Sequence, residues 1–180
     1  MTTMMLPIAP LSPSAFSPYG KVLGWPEDLA RREPRHSSPA SDFIHQLSFD
    51  TGADGGPAEV LWVNYRDGAS RIDRLEMHRL THQAVVPIHG GDLVQIVCLD
   101  RDDAPDIDSL RAFHLPQGLG IAMSPGCWHA TRLLDREAPV TALMLTRHST
   151  TRDLVAMLNE HTTGRESLLR PLSITVELEA

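Results

Sequence analysis

Aromatic residues make up only 5% of this 180-residue chain, and cysteine occurs twice, at Cys98 and Cys127. Two cysteines exclude a disulfide framework and fit a reducing cytoplasm. No stretch reaches the ~18 consecutive apolar residues of a membrane span. The opening Met1-Thr2-Thr3-Met4-Met5-Leu6-Pro7 has neither a charged n-region nor a long apolar core, so it does not read as a signal peptide. Basic residues are scattered without a Lys/Arg-rich run, and the net charge is -7. Tight binding to nucleic acid or to an anionic membrane is therefore not expected. Internal repeats and low-complexity tracts are missing as well.

What is present is an ordinary globular composition, 42% apolar and 22% charged. A chain of this length can bury most of its apolar surface without staples. One domain over residues 1–180 is expected, with residues 26–42, polar and Pro-rich, as a surface loop. A short strand should open the chain. Ser12 then caps a brief helix with Pro13 in its first turn, stopped by Pro18 and Gly20. Strand-like stretches follow at 43–49, 59–66, 72–78, 83–88, 93–99, 111–114, 119–123 and 140–146. Turn signals such as Asp67-Gly68, Gly90-Gly91-Asp92 and Pro116-Gln117-Gly118 separate them. Many short strands at regular spacing predict a mainly β protein, a sandwich or a barrel. Residues 108–111 read as a helical turn. Residues 151–180 form a C-terminal extension: a packing helix over 151–160, then a strand at 172–178.

Two motifs carry chemistry. Glu76 to Gly90 reads E-x-H-x4-Q-x6-G, and Gly126 to His129 reads G-x-x-H. This is the spacing of the two metal-site motifs of a cupin, with Glu76 and Gln83 where His and Glu more often stand. Residues i and i+2 of a strand share a face, so Glu76 and His78 point together. Gln83 follows after a turn, and His129 after the Pro125-Gly126 bend. Imidazole nitrogens with carboxylate and amide oxygens suit a borderline divalent ion, and two imidazoles plus a carboxylate leave positions open for substrate. The expected metal set is Glu76, His78, Gln83 and His129, with no organic cofactor. His82 reads as a rim residue, His89 as a turn residue and His114 as a pocket neighbour. His36, His45, His148 and His161 read as surface or loop residues. Cys98 reads as core, whereas Cys127, inside the second motif, could see the pocket.

At these residues the chain resembles the ureidoglycolate lyase family, cupin-type enzymes of ureide catabolism. The stretch from Leu11 to Val22 resembles the family's opening L-[ST]-x-x-[AE]-F-x-x-[YF]-G-x-V. Leu75-Glu76-Met77-His78 with Gln83-Ala84-Val85-Val86-Pro87 resembles L-E-R-H-x4-Q-A-F-x-P. Pro105-Asp106 with Leu110-Arg111-Ala112-Phe113, Gln117-Gly118-Leu119, Gly126-Cys127-Trp128-His129 and Arg147 continue the match. The departures are Met77 and Arg79 within the first motif, Ala122-Met123-Ser124 for N-Y-H, Ala130-Thr131 after the Trp-His pair, and Thr146 for an Asp.

The resemblance implies a single cupin-like β-barrel with a few short helices and a cytoplasmic homodimer. The terminal strands 6–9 and 172–178 are suitable material for exchange or edge pairing. It implies cleavage of a C–N bond of ureidoglycolate to glyoxylate and urea, a step of allantoin and purine catabolism. Glu76, His78 and His129 would be catalytic. Gln83, Arg66, Arg79, Arg132, Trp128 and His114 would contact substrate, an arginine fork suiting its carboxylate. Because several polar neighbours of the motifs differ, two alternatives stay open: a metal-dependent cupin acting on another small hydroxy or keto acid, and a non-catalytic small-molecule-binding cupin.

Overall fold

The strand-like stretches resolve into two facing sheets in the computed structural model, which describes residues 3–49, 51–52, 56–135, 138–160 and 164–179. In chain order the elements are β1 (Thr3–Pro10), α1 (Pro13–Phe16), β2 (Gly20–Leu23), α2 (Pro26–Arg31), β3 (His36–Ser37), β4 (Asp42–Phe43), β5 (Ala58–Tyr65) and β6 (Arg71–His78). There follow β7 (Gln83–His89), β8 (Leu93–Arg101), β9 (Ala104–Leu115), β10 (Gly120–Met123), β11 (Trp128–Leu133), β12 (Val140–Arg147), α3 (His148–Glu160) and β13 (Ser167–Glu179). Six strands close into a ring in the order β1-β13-β6-β11-β8-β9, and five form a second sheet, β2-β10-β7-β12-β5. Together they make a mainly β, cupin-like barrel.

Period-2 alternation gives the ring two buried faces. Ile72, Leu75, Met77, Ile96, Leu110 and Trp128 fill its lumen. Phe16, Val85, Val97, Phe113, Ile121 and Val140 belong to a separate core shared with the second sheet. Strand β8 explains why residues 93–99 read as an unbroken apolar run: Val94, Ile96 and Cys98 join the lumen, while Leu93 and Val97 join the other core. A strand covered on both faces has no solvent side to alternate toward.

The first and last strands close the ring. Strand β1 runs parallel to β13, with Leu6 opposite Leu178, and parallel to β9, with Ile8 opposite Ala112. Ser12 caps α1 by accepting from the Ala15 amide at 3.2 Å, and Phe16 behind it packs edge-on against Phe113. Residues 26–42 hold α2, β3 and part of β4.

Two local expectations are corrected. Residues 43–49 do not form a strand beyond Phe43. Side chains there replace a ladder: Arg32 donates to the His45 carbonyl at 3.1 Å, Lys21 to the Gln46 carbonyl, and the Gly24 amide to Gln46 Oε1. Residues 108–111 are not a helical turn but part of β9, where the pairing slips between Val97–Arg111 and Leu99–Asp106. Ser109 holds that bulge, donating to the Asp106 carbonyl at 2.7 Å and accepting from the Leu99 amide at 2.8 Å.

Candidate active site

Three backbone devices bring the motif residues together. First, β11 pairs antiparallel with β6 so that His129 stands opposite Glu76. Cross-strand neighbours on one face have adjacent side chains. Second, the Ser124–Cys127 turn aims β11. Pro125 occupies its second position, Gly126 its third with φ +82, and the Cys127 amide donates to the Ser124 carbonyl at 3.1 Å. This is a type II turn, whose third position requires positive φ. The Gly126 amide also donates to the His78 carbonyl at 2.8 Å, tying the turn to the end of β6. Third, β13 pairs with β6 so that Ser167 stands opposite His78.

The side chains of Glu76, His78 and His129 offer ligand atoms that all lie within 4.8 Å of one another. The two imidazoles meet edge to face at 5.1 Å between centroids. His78 and His129 are buried, at 3% exposure each. His78 Nε2 lies 3.1 Å from Gln83 Nε2, an amide that can only donate, so Nε2 accepts. The proton therefore sits on Nδ1 and is donated to Ser167 Oγ at 3.0 Å. Burial, reinforced by His129, drives the His78 pKa down to about 4, which keeps the ring neutral at pH 7.

His129 is fixed in the same sense. Its Nδ1 donates to the Cys127 carbonyl at 3.0 Å, leaving Nε2 as the inward atom. That Nε2 is buried and faces Glu76 Oε1 at 3.2 Å, short of good hydrogen-bond geometry and with no other partner among the described residues. Burial alone would raise the Glu76 carboxyl, but the facing His129 imidazole pulls it below the usual glutamate range. An ionised carboxylate and a ring nitrogen that turn lone pairs toward one space are incomplete without a proton or a cation between them. The donor set of one carboxylate and two imidazoles fits a divalent ion of the first transition row, and Gln83 would join it by turning its amide oxygen inward.

Two cavities meet at this cluster and share Tyr65, Glu76 and Gln83. The outer one, about 400 Å³, also touches His129, Thr131, Arg132, Arg74 and Asp67. The inner one, about 220 Å³, adds His78 and is walled largely by β5, β12 and α3. Helix α3 thus lies over both. Its position is set by Asp153, whose carboxylate accepts the backbone N–H groups of Arg165, Glu166 and Ser167 at 2.8–3.1 Å. The same contact seats Ser167 under His78.

Of the other expected substrate contacts, Arg132 reaches the outer cavity. Its side chain is 12% exposed, and Nε lies 3.3 Å from Asp67 Oδ2. Four do not. Trp128 neighbours His129 along the strand and so faces the ring lumen, where Nε1 donates to Asp100 at 2.8 Å. His114 pairs with Asp92 at 2.6 Å, and Arg79 with Asp103 at 3.0 Å, each away from both cavities. Arg66 is exposed and lines neither. Cys127 packs in the core behind the site and contributes only its carbonyl. His161 lies outside the described residues.

The sequence reading missed Tyr65, Arg74, Thr131 and Ser167. Arg74 was within reach, since it precedes Glu76 by two residues and shares its face. Tyr65 was not, because β5 has no motif. Its hydroxyl hydrogen-bonds Thr131, and burial raises its pKa so far that it stays protonated.

The fold and the cluster define a cupin-type site: two histidines, a carboxylate and an amide on facing strands of a small barrel. Residues 3–164 match the family model described as ureidoglycolate lyase. The ureidoglycolate lyases of Escherichia coli strains K12, O1:K1 and O127:H6 are each 31% identical over 130 residues, covering 70% of this chain and 78% of theirs. The chain belongs to the ureidoglycolate lyase family. Two structures of Bacillus subtilis oxalate decarboxylase are 16% identical, with TM-scores of 0.38 and 0.36, and cover 74% and 77% of this chain. The chain spans only 33% and 39% of their length.

Proposed function

We propose that this protein is a ureidoglycolate lyase, cleaving the bond between the glycolate carbon and the ureido nitrogen to release glyoxylate and urea in purine and allantoin catabolism. The observation that carries this reading is the junction of Glu76, His78, Gln83 and His129 with a cavity that also presents Arg132.

The reaction moves one proton and two electron pairs: the O–H pair becomes the carbonyl π bond, and the C–N pair goes to nitrogen. The hydroxyl loses its proton as its oxygen becomes the aldehyde carbonyl, and the departing nitrogen gains one. Hydroxyl and nitrogen sit on the same carbon, so one group facing that carbon serves both. Glu76 is placed for this: held ionised at neutral pH, it takes the hydroxyl proton and returns it to nitrogen. Such general acid–base help contributes ~100- to 10,000-fold. Arg132 binds the carboxylate, with its guanidinium already desolvated beside Asp67. Tyr65, always protonated, contributes a neutral polar wall between the cavities.

Glu76, His78, Gln83 and His129 would hold a divalent metal ion, which supplies charge stabilisation for the developing alkoxide when bound. Ser167 and the Cys127 carbonyl keep both rings in the tautomer that turns Nε2 inward, and outer partners of this kind set ligand orientation. Glyoxylate release from racemic ureidoglycolate, together with metal analysis of the purified protein, tests the reading. Metal without glyoxylate release would instead favour a cupin acting on another small acid.

The reading extends to a single-domain, cytoplasmic homodimer. Edge strand β5 exposes Val60 and Trp62, at 62% and 67%, which supplies apolar surface for a second copy. Light scattering should find a dimer that Trp62→Glu converts to monomer. Activity should fractionate with cytoplasmic markers, where the buried thiols Cys98 and Cys127 stay unpaired.

A further inference from the structure

The two cavities differ in chemistry, and the reacting cluster stands between them. The outer one offers Arg132 to a carboxylate. A substrate held there, with its central carbon at Glu76, can extend its distal end into the inner chamber, because both cavities open onto Glu76 and Gln83. That chamber is walled by Leu61, Val63, Met144 and Leu154. At about 220 Å³ it exceeds the ~150 Å³ apolar cavity that accepts benzene in an engineered core. The terminal amino group of a plain ureido acid would occupy little of it and would meet mostly hydrocarbon. Three threonines, Thr146, Thr150 and Thr151, break the apolar lining; Thr150 donates to Glu166 at 2.7 Å and Thr151 is engaged with the Glu59 carboxylate. Thr146 is 2% exposed, and its Oγ1 has no hydrogen-bond partner among the described residues. A buried hydroxyl left unpaired is unfavourable until a ligand completes it.

We propose that the inner chamber is a subsite for an apolar substituent on the distal ureido nitrogen, so that N-alkylureidoglycolates are substrates in preference to ureidoglycolate itself. This rests on the lyase reading of the same site. The distal nitrogen keeps one N–H, which donates to Thr146 Oγ1, and its alkyl chain lies among Leu61, Val63, Met144 and Leu154. The chemistry is unchanged and needs no co-reactant. The bond from the glycolate carbon to the proximal nitrogen breaks with its electrons going to nitrogen. The hydroxyl oxygen becomes the glyoxylate carbonyl, and its proton passes to nitrogen, giving an alkylurea.

Racemic ureidoglycolate and its N-methyl, N-propyl and N-butyl derivatives test this in the unaltered protein by glyoxylate release. The expected kcat/KM rises about fourfold per added methylene, the increment for a buried CH₂. Hexanamidoglycolate replaces the distal N–H of the N-butyl compound by CH₂ and isolates the hydroxyl. The N-butyl compound should exceed it by about fivefold, the value of one hydrogen bond, and Thr146→Val should abolish that difference. Turnover of ureidoglycolate with rates flat or falling along the series overturns the subsite and leaves the lyase reading intact. Absence of glyoxylate from every compound overturns both.

Discussion

Leu75, Glu76, Met77 and His78 are neighbours on one strand, yet they serve two different interiors. Leu75 and Met77 point into the ring lumen, an apolar core. Glu76 and His78 point the other way, into a space that holds polar groups and two cavities. The same division runs through β11, where Trp128 fills the lumen and His129 faces the cluster. One backbone therefore carries stability on one face and chemistry on the other. Close packing on the lumen side holds the strands in register, and register alone sets His129 opposite Glu76 and Ser167 opposite His78.

Adjacent substitutions can break this comparison. Glu76→Gln keeps the shape and removes the ionised carboxylate. It should lower kcat for glyoxylate release by ~100-fold or more with a melting temperature within a few degrees of the parent. Trp128→Ala should do the opposite, costing ~3–5 kcal/mol in denaturant unfolding while the folded fraction keeps its site chemistry. If Glu76→Gln unfolds the chain, or Trp128→Ala leaves stability untouched, the two-face division is wrong.

The next effects concern the groups around the cluster. Arg132→Met should reduce kcat/KM by about 10- to 100-fold through loss of a charged hydrogen bond to the substrate carboxylate. Arg66→Met and Arg79→Met should change it little, since those side chains line neither cavity. Ser167→Ala removes the acceptor that fixes His78 Nδ1–H. Metal titration by calorimetry should show affinity reduced about 10- to 100-fold, as loss of such an outer partner usually costs.

The smallest effect is pH-dependent and concerns α3. Burial would raise the Asp153 carboxyl, but three backbone N–H groups hold it below the usual aspartate range. A carboxyl depressed in the folded state stabilises above its unfolded pKa, near ~3.9, and that contribution fades as pH falls through the lower folded value. Thermal melts should show the parent losing more stability than Asp153→Asn between about pH 4 and pH 2. Equal losses would mean that Asp153 does not anchor the helix.

The sequence disclosed most of the cluster and little of its surroundings. Glu76, His78, Gln83 and His129 were legible because strand parity and two short spacings place them, and both are local properties. Trp128 was misplaced as a substrate contact although parity already put it on the face opposite His129. Arg79, His114 and Arg66 were misplaced for a different reason: a charged or polar residue next to a motif has no local signal for where its side chain ends. Tyr65, Ser167 and Thr146 come from β5, β13 and β12, far apart in the chain, and only the pairing of strands brings them to the cavities. The strand expected at 43–49 failed because side chains of Lys21 and Arg32, not a neighbouring strand, satisfy its carbonyls.

The rate of glyoxylate release from racemic ureidoglycolate by His129→Ala, relative to the parent protein, is the most direct test of the cluster's role. Removal of the ring that faces Glu76 should leave the melting temperature near the parent value and lower the rate by ~100-fold or more. A folded His129→Ala protein that turns over at the parental rate would contradict the assignment of the reaction to this cluster.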